Sequence, residues 1–351
     1  MTALAEIVNL PAEAIPPRAP GLLLFLGDVM EAGYAKTAFG LRDWAAERCV
    51  GEWALPGGRV SAGLLPLMPR EAVARGAGAL VIGVANVGGV IPFSWVPALL
   101  EALAAGLDIV SGLHVKLRDV PDLAEAADRL GRRLIDVRTP PADIPIASGV
   151  RRTGRRILTV GTDCALGKKY AALALAQGLQ DRNVDAEFRG TGQTGIMISG
   201  DGIPIDAVVV DFIAGAAEML SPAAAAAHVD VIEGQGSLFH PAYAAVSLGL
   251  LHGSQPDLFI VCHDPGRNEI LGYPGFPLPS IEAVIAQTVA LGRLTSPTIR
   301  CAGVSLNTGA LDADEAETVM AETEARLALP TADPMRRGPR FERLLDACLA
   351  S

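Results

Sequence analysis

The sequence predicts an α/β protein with an N-terminal Rossmann-like domain and a C-terminal phosphate-loop domain, each on a mostly parallel sheet. Three observations carry this. Short apolar runs alternate with helical stretches along the whole chain, the order that βαβ units need. A proline-rich, basic stretch divides the alternation in two. In the second half, glycines and polar residues collect at the C-terminal ends of the apolar runs, where open α/β sheets place their ligands.

The first half opens with GLLLFLGD (21–28), a buried strand, and ALVIGVAN (79–86) is another. PFSWVPALLEALAAG (92–106) has the apolar spacing of a helix and ends on Gly106. LDIVSG (107–112), DLAEAADRLGRR (122–133) and LIDV (134–137) follow as strand, helix and strand. No GxGxxG follows the first strand, so NVGGV (86–90) reads as a strand-to-helix turn. RTPPADIPIASGVRRTGRR (138–156) is stiffened by proline and marks the boundary, giving domains 1–145 and 146–351. Its basic run reads as a solvated linker end. Beyond it, RILTV, DAEFRG, DAVVVDF, VDVIEG, DLFIVCH and IRCAGVSLN supply six strands for a larger sheet. The last segment, 333–351, reads as a turn and a short amphipathic helix.

With 351 residues, half of them hydrophobic and 19% charged, the composition is that of an ordered globular chain with two cores. A formal charge of −10 without an aromatic-laced basic face argues against a nucleic-acid partner. An acidic substrate therefore needs local Arg or Lys. No apolar run of about 18 residues spans a bilayer. The start, MTALAEIVNLPAEAIPP, has no basic n-region or h-region, so a cytoplasmic location is expected. Cys49, Cys164, Cys262, Cys301 and Cys348 are scattered without a CxxC pair, which suits free thiols better than disulfides or a zinc site. No metal is expected. Cys164 stands apart because it lies at a helix start, where a thiolate is stabilised. Glycine-rich GYPGFPLPS (272–280) suits a lid, an oligomer interface or an irregular loop, and a homodimer or higher homo-oligomer is expected.

The chemistry concentrates at strand ends. VGTDCALGKKYAALALAQGL (160–179) supplies strand, turned loop and helix in the order of a phosphate cradle. Gly161, Thr162, Asp163, Cys164, Ala165, Leu166, Gly167, Lys168 and Lys169 form it. Backbone N–H groups and the helix start face the phosphate, and Lys168 adds charge. Lys169 replaces the hydroxyl that phosphoryl-transfer loops use to hold Mg²⁺. Two adjacent lysines suit a ligand carrying a diphosphate or an extra ribose phosphate, such as coenzyme A. In VDVIEGQGSLFHP (229–241), Glu233 and His240 are candidate bases; a helix cap and a surface histidine are the structural alternative. RGTGQTGIMISG (189–200) offers Arg189 and Gln193 for a carboxylate or amide. Asp211 ends the run VVVDF, His263, Asp264 and Arg267 end IVCHDPGR, and Asn307 sits where related loops read an adenine-type base.

Two resemblances follow. The long GxxxxxGK spacing opening on Gly-Thr-Asp is similar to the loop of dethiobiotin synthetase and its amidoligase relatives. GTDCALGKK, RGTGQTGI, DFIAGAAE, IEGQGSLFHP and HDPGR in this order resemble a P-loop family whose characterised members are D-glutamate N-acetyltransferases, the DgcN group. This resemblance covers the second half closely and the first half more loosely. It implies acetyl transfer from acetyl-CoA to the amine of D-glutamate, giving N-acetyl-D-glutamate. On that reading the loop, with Asn307, holds CoA, and Glu233, His240 or Asp211 is the base. Arg189, Gln193, His263, Asp264 and Arg267 then meet the amino-acid substrate, with a backbone N–H or Gln193 at the oxyanion. The alternative is an ATP-dependent ligase or kinase like dethiobiotin synthetase, for which Mg²⁺ would be needed.

Overall fold

A computed structural model describes residues 21–350. The opening MTALAEIVNLPAEAIPP and the terminal Ser351 lie outside the described residues. The chain divides into two units, Met1–Ala142 with Gln193–Pro204, and Asp143–Gly192 with Ile205–Ser351.

In the first unit, β1 (Gly21–Gly27), β2 (Cys49–Ala54), β3 (Ala77–Ile82), β4 (Asp108–Ser111) and β5 (Leu134–Asp136) form a parallel sheet. Its order is β2-β1-β3-β4-β5. Between the strands run α1 (Lys36–Trp44), α2 (Pro69–Ala74), α3 (Val96–Ala105) and α4 (Pro121–Leu130). β1 is buried on both faces. Leu23 and Phe25 pack with Trp53 and Trp95, while Leu22, Leu24 and Leu26 pack with Ala38 and Leu41. A strand covered on both sides has no polar alternation, which is why this run reads so plainly. The strands and helices expected from 21–28, 79–86, 92–106, 107–112, 122–133 and 134–137 all form, and NVGGV is a turn.

β2 is the strand that the apolar pattern hides, because it carries Glu52. That buried carboxylate accepts bonds from the Ser61 hydroxyl at 2.6 Å and from Ala62 N–H at 2.7 Å, so a charged residue sits inside a strand without loss. The helix Gln193–Ser199 (α6) also belongs to this unit, although the second half of the sequence supplies it. Met197 joins the apolar cluster of Leu22 and Leu24, and Thr194 Oγ1 lies 3.0 Å from Thr37 Oγ1.

The second unit carries β6 (Arg155–Gly161), β7 (Ala186–Arg189), β8 (Val229–Ile232), β9 (Leu258–His263), β10 (Arg300–Leu306) and β11 (Thr331–Ala332). All pairs are parallel, in the order β11-β10-β9-β6-β8-β7. The helices are α5 (Lys168–Asp181), α7 (Ile213–Leu220), α8 (Ala244–Ser254), α9 (Ile281–Gly292), α10 (Ala313–Leu327) and α11 (Pro339–Leu349). β6 lies between β9 and β8, so the loop that follows it opens where the strand order reverses.

Two expectations are corrected. DAVVVDF is not a strand: it forms two 3-10 turns, Ile205–Ala207 and Val210–Phe212, with Val209 and Val210 exposed. β-branched residues favour a strand only where a sheet surface receives them, and the sixth place in this sheet goes to the two-residue β11. The basic run of the linker is solvated only in part. Arg156 is 1% exposed, and its guanidinium donates to Ser221 Oγ at 2.8 Å and to the Thr153 and Pro222 carbonyls at 3.0 Å. Arg151 reaches Asp257 and the Gln255 carbonyl.

Within β8, Asp230 gathers Arg189 at 2.7 Å, Ser221 at 2.5 Å and His228 at 3.1 Å. His228 also faces Asp185 at 2.9 Å, so both ring nitrogens meet carboxylates and the imidazolium is favoured. Burial pulls its pKa down, but the bonds and charges of Asp185 and Asp230 outweigh this and hold it above the ordinary value. A raised pKa stabilises the fold fully below the unfolded value and loses that contribution as pH rises through the folded value. The melting-temperature gap between wild type and His228→Gln should therefore be larger at about pH 5.5 than at about pH 9. A gap that is equal or widens at high pH would show a neutral histidine.

Candidate functional site

β6 runs into the loop 162–167, and α5 starts with Gly167 as its N-cap at φ +103°. This left-handed conformation favours glycine. The loop is held from outside. Asp163 has no exposed surface; its carboxylate accepts from Cys164 N–H at 2.6 Å, Leu271 N–H at 2.8 Å and Arg267 Nη1 at 2.9 Å. Arg267 also donates to the Cys164 carbonyl at 2.7 Å and the Ala165 carbonyl at 3.3 Å. Thr162, likewise unexposed, faces His263 Nδ1 at 3.0 Å, and Ser237 Oγ donates to its carbonyl at 3.2 Å. Leu166 is buried with Ala171 and Cys262. These side chains shape the loop, which leaves backbone and lysines to meet an anion.

Lys168 is almost wholly buried, and its Nζ donates to the Asp163 carbonyl at 2.7 Å. Burial pulls its ammonium below the usual lysine range. The side chain passes Gly234, whose Cα faces it: a Cβ there would stand 3.2 Å from Lys168 Cδ and 1.6 Å from the Thr159 carbonyl oxygen. Only glycine fits. Lys169, half-buried, places its Nζ 5.1 Å over the Tyr170 ring.

Glu233 follows β8 and is 5% exposed. Its Oε2 accepts from Thr191 N–H at 3.0 Å and Gly192 N–H at 3.1 Å, while Oε1 makes neither bond. Burial lifts its carboxyl above the ordinary range; the Lys169 charge and the two N–H bonds oppose this without cancelling it. A carboxylate so placed is a stronger base than a solvated one.

His240 is also buried, stacked on Tyr243 at 4.4 Å and edged by Tyr273 at 5.0 Å. Burial lowers its pKa. Its Nδ1 accepts from Ala242 N–H at 3.1 Å, so in the neutral ring Nε2 carries the hydrogen, 3.8 Å from Asp163 Oδ1. The single lone pair is spent. His240 therefore stands beside Asp163 with its one lone pair occupied, whereas Glu233 keeps an oxygen clear of both backbone N–H bonds.

Of the other expected residues, Arg267 and His263 join the loop and the rest are not brought to it. Arg189 pairs with Asp230 at 2.7 Å and Glu187 at 2.8 Å, and Arg267 is bound into the loop, so both guanidiniums already face carboxylates of the fold. Gln193 belongs to the first unit, where its Oε1 accepts from Arg138 at 2.9 Å. Asp211 is exposed on its 3-10 turn. Asp264 turns back on Gly266 N–H at 3.0 Å, and exposed Asn307 joins β10 to β9 through its N–H on the His263 carbonyl at 2.8 Å. Residues the motifs did not single out complete the site. Gln235 donates to Thr191 Oγ1 at 3.0 Å, and Thr159 Oγ1 accepts from Gly234 N–H at 2.9 Å. Gln235 and Thr191 stand between glycines of motifs already noted, whereas Thr159 sits inside an apolar strand and gave no signal.

Among the described residues, two sets have metal-compatible spacing, Asp163–Cys164–His240 and Glu187–His228–Asp230. Their donors are already used: Arg267 holds Asp163, Ala242 takes the His240 lone pair, and Arg189 holds Glu187 and Asp230.

Residues 145–345 match the family described as a domain of unknown function (DUF1611_C), P-loop domain. Residues 49–140 match its DUF1611_N, Rossmann-like domain. The chain belongs to the DUF1611 family. A crystal structure of a DUF1611 family protein from Anabaena variabilis superimposes with a TM-score of 0.82 at 33% identity, covering 94% of this chain and 99% of that one. A D-glutamate N-acetyltransferase from Tritonibacter scottomollicae is 48% identical over 93% of this chain and 98% of its own. A second protein of that name, from a Pseudoalteromonas species, is 44% identical over 91% of this chain and 96% of its own.

Two substitutions test the frame of this DUF1611 site. Arg267→Met leaves Asp163 buried without its cation and should cost about 3 kcal/mol of stability. Gly234→Ala forces a methyl into the Thr159 carbonyl and should cost about 3 kcal/mol or more. Chemical denaturation reads both, and a loss within that of a neutral surface change would refute the packing described.

Proposed function

We propose that this protein is an N-acetyltransferase that moves the acetyl group of acetyl-CoA to the amine of D-glutamate, releasing CoA and N-acetyl-D-glutamate. The observation that carries this reading is the match to two D-glutamate N-acetyltransferases along at least 91% of this chain and 96% of theirs. The site is compatible in chemistry. The loop backbone, Lys168 and Lys169 hold the phosphates of the donor. Glu233 takes a proton from the substrate ammonium, and the amine attacks the thioester carbonyl, forming a C–N bond. As the intermediate collapses the C–S bond breaks. The thiolate receives the proton from Glu233, and the second ammonium proton passes to solvent. Five free cysteines support a reducing, cytoplasmic setting.

A phosphoryl-transfer reading fits less well. The position after Lys168 is an ammonium, and Glu233 spends one oxygen on two backbone N–H groups. The acetyl-transfer reading needs no Mg²⁺.

Thiol release from acetyl-CoA in the presence of D-glutamate, L-glutamate or D-aspartate, with N-acetyl product identified by mass, tests the activity. No amine-dependent release with any of them would end the proposal. Glu233→Gln should lower kcat by about 10²- to 10⁴-fold. Lys168→Ala should raise the KM for acetyl-CoA, and Lys169→Thr should not produce Mg²⁺-dependent ATP hydrolysis. An unchanged kcat in Glu233→Gln would remove Glu233 as the base.

A further inference from the structure

Beyond the loop, α10, α11 and the turn after β11 line an open cavity of about 440 Å³, within the roughly 300–1,000 Å³ of small-molecule sites. Nine residues line it. Four are arginines, Arg336, Arg337, Arg340 and Arg343, against two carboxylates, Glu317 and Asp333. Such a concentration of guanidinium runs against a chain of net charge −10.

Ion pairs account for part of it. Arg340 meets Glu317 and Glu324, and Arg343 shares Glu324 at 3.1 Å. Arg336 is woven into the fold through Thr308 Oγ1 at 2.7 Å and lies 3.8 Å from Asp333. Arg337 differs. Its guanidinium donates to Gln177 Oε1 at 3.1 Å and lies 5.0 Å over the Phe341 ring, and both partners are neutral. Among the described residues no carboxylate pairs with it. The cavity also reaches the ligand end of the sheet. Asp333 accepts from Thr308 N–H at 3.0 Å and Thr308 Oγ1 at 2.5 Å, and Thr308 follows Asn307 at the end of β10.

We propose that this cavity binds a phosphate monoester, the one that CoA carries on its ribose apart from its diphosphate. The proposal rests on the reading of acetyl-CoA as the donor. A phosphate monoester carries about −1.5 to −2 charge at neutral pH, and guanidinium forks bind such anions with paired N–H bonds. Arg337 supplies the charge that no carboxylate among the described residues neutralises, and Arg343 lines the same cavity. A donor anchored at both the loop and this cavity is thereby separated from nucleotides that lack the second phosphate.

The test compares acetyl-CoA with its dephospho form, which lacks only the ribose phosphate. Wild type should show a KM about tenfold higher for the dephospho form, a difference of about 1.4 kcal/mol. Arg337→Gln should raise the KM for acetyl-CoA by a similar factor and leave that for the dephospho form unchanged, with kcat unaltered for both. Arg343→Gln, checked like Arg337→Gln by its melting curve, carries the same comparison if the first variant fails to fold. Equal use of the two donors by wild type would overturn the proposal. So would a variant that weakens both donors alike, since that marks a merely structural arginine. Calorimetric binding of CoA and dephospho-CoA reads the same preference without turnover. A protein that transfers no acetyl group yet prefers CoA refutes the acyl-transfer reading and keeps the cavity; equal affinity refutes the cavity.

Discussion

The carboxylate of Asp163 is the constraint on which the site depends. A wholly buried charge is tolerable only when its partners replace water, and here those partners come from two segments. Cys164 N–H comes from the loop itself, and Arg267 and Leu271 N–H from the segment after β9. Meeting one charge thus fixes two strand ends against each other, and Ser237 ties the segment after β8 to the same loop through the Thr162 carbonyl. Arg267 completes the frame by taking the carbonyls of Cys164 and Ala165. With those carbonyls held, the loop is shaped by the protein before any ligand arrives.

The two buried carboxylates of this site differ in character because their partners differ. Asp163 faces a guanidinium at 2.9 Å and serves as an anchor. Glu233 is met by two neutral N–H groups and a more distant lysine, and burial keeps its proton affinity high. Environment divides the roles, as it does wherever two carboxylates share a site. The glycine beside Glu233 belongs to the same arrangement: Gly234 lets β8 pass close to Thr159, and this brings the carboxylate beside the lysines of the loop.

Much of this was legible in the sequence, and the exceptions have physical causes. The α/β class and the two parallel sheets follow from runs such as LLLFL, which are apolar on both faces because both faces are covered. The loop was legible because glycine and lysine must occupy fixed places in it. What escaped was the partner of each side chain. Arg189 and Arg267 carry the residue type that binds a carboxylate, and each does bind one, but it belongs to the protein. His240 looked like a base until the N–H of Ala242 was seen on its lone pair. DAVVVDF failed because propensity cannot say whether a sheet edge is there to receive it.

Lys169 acts electrostatically on Glu233 from the loop. Its charge opposes the rise in the Glu233 pKa, so any anion that takes up part of that charge weakens the opposition. On the acyl transfer proposed above, the donor phosphates would do this without reacting, since charge develops at the carbonyl oxygen and sulfur. Donor binding would then strengthen Glu233 as the base that the amine needs. The pKa of Glu233 read from kcat, which reports the complex, should lie above that read from kcat/KM for the donor, which reports the free enzyme. Lys169→Met should raise the second value and close the gap. If the two values coincide in wild type, or the gap survives in Lys169→Met, the lysine does not couple anchor to base.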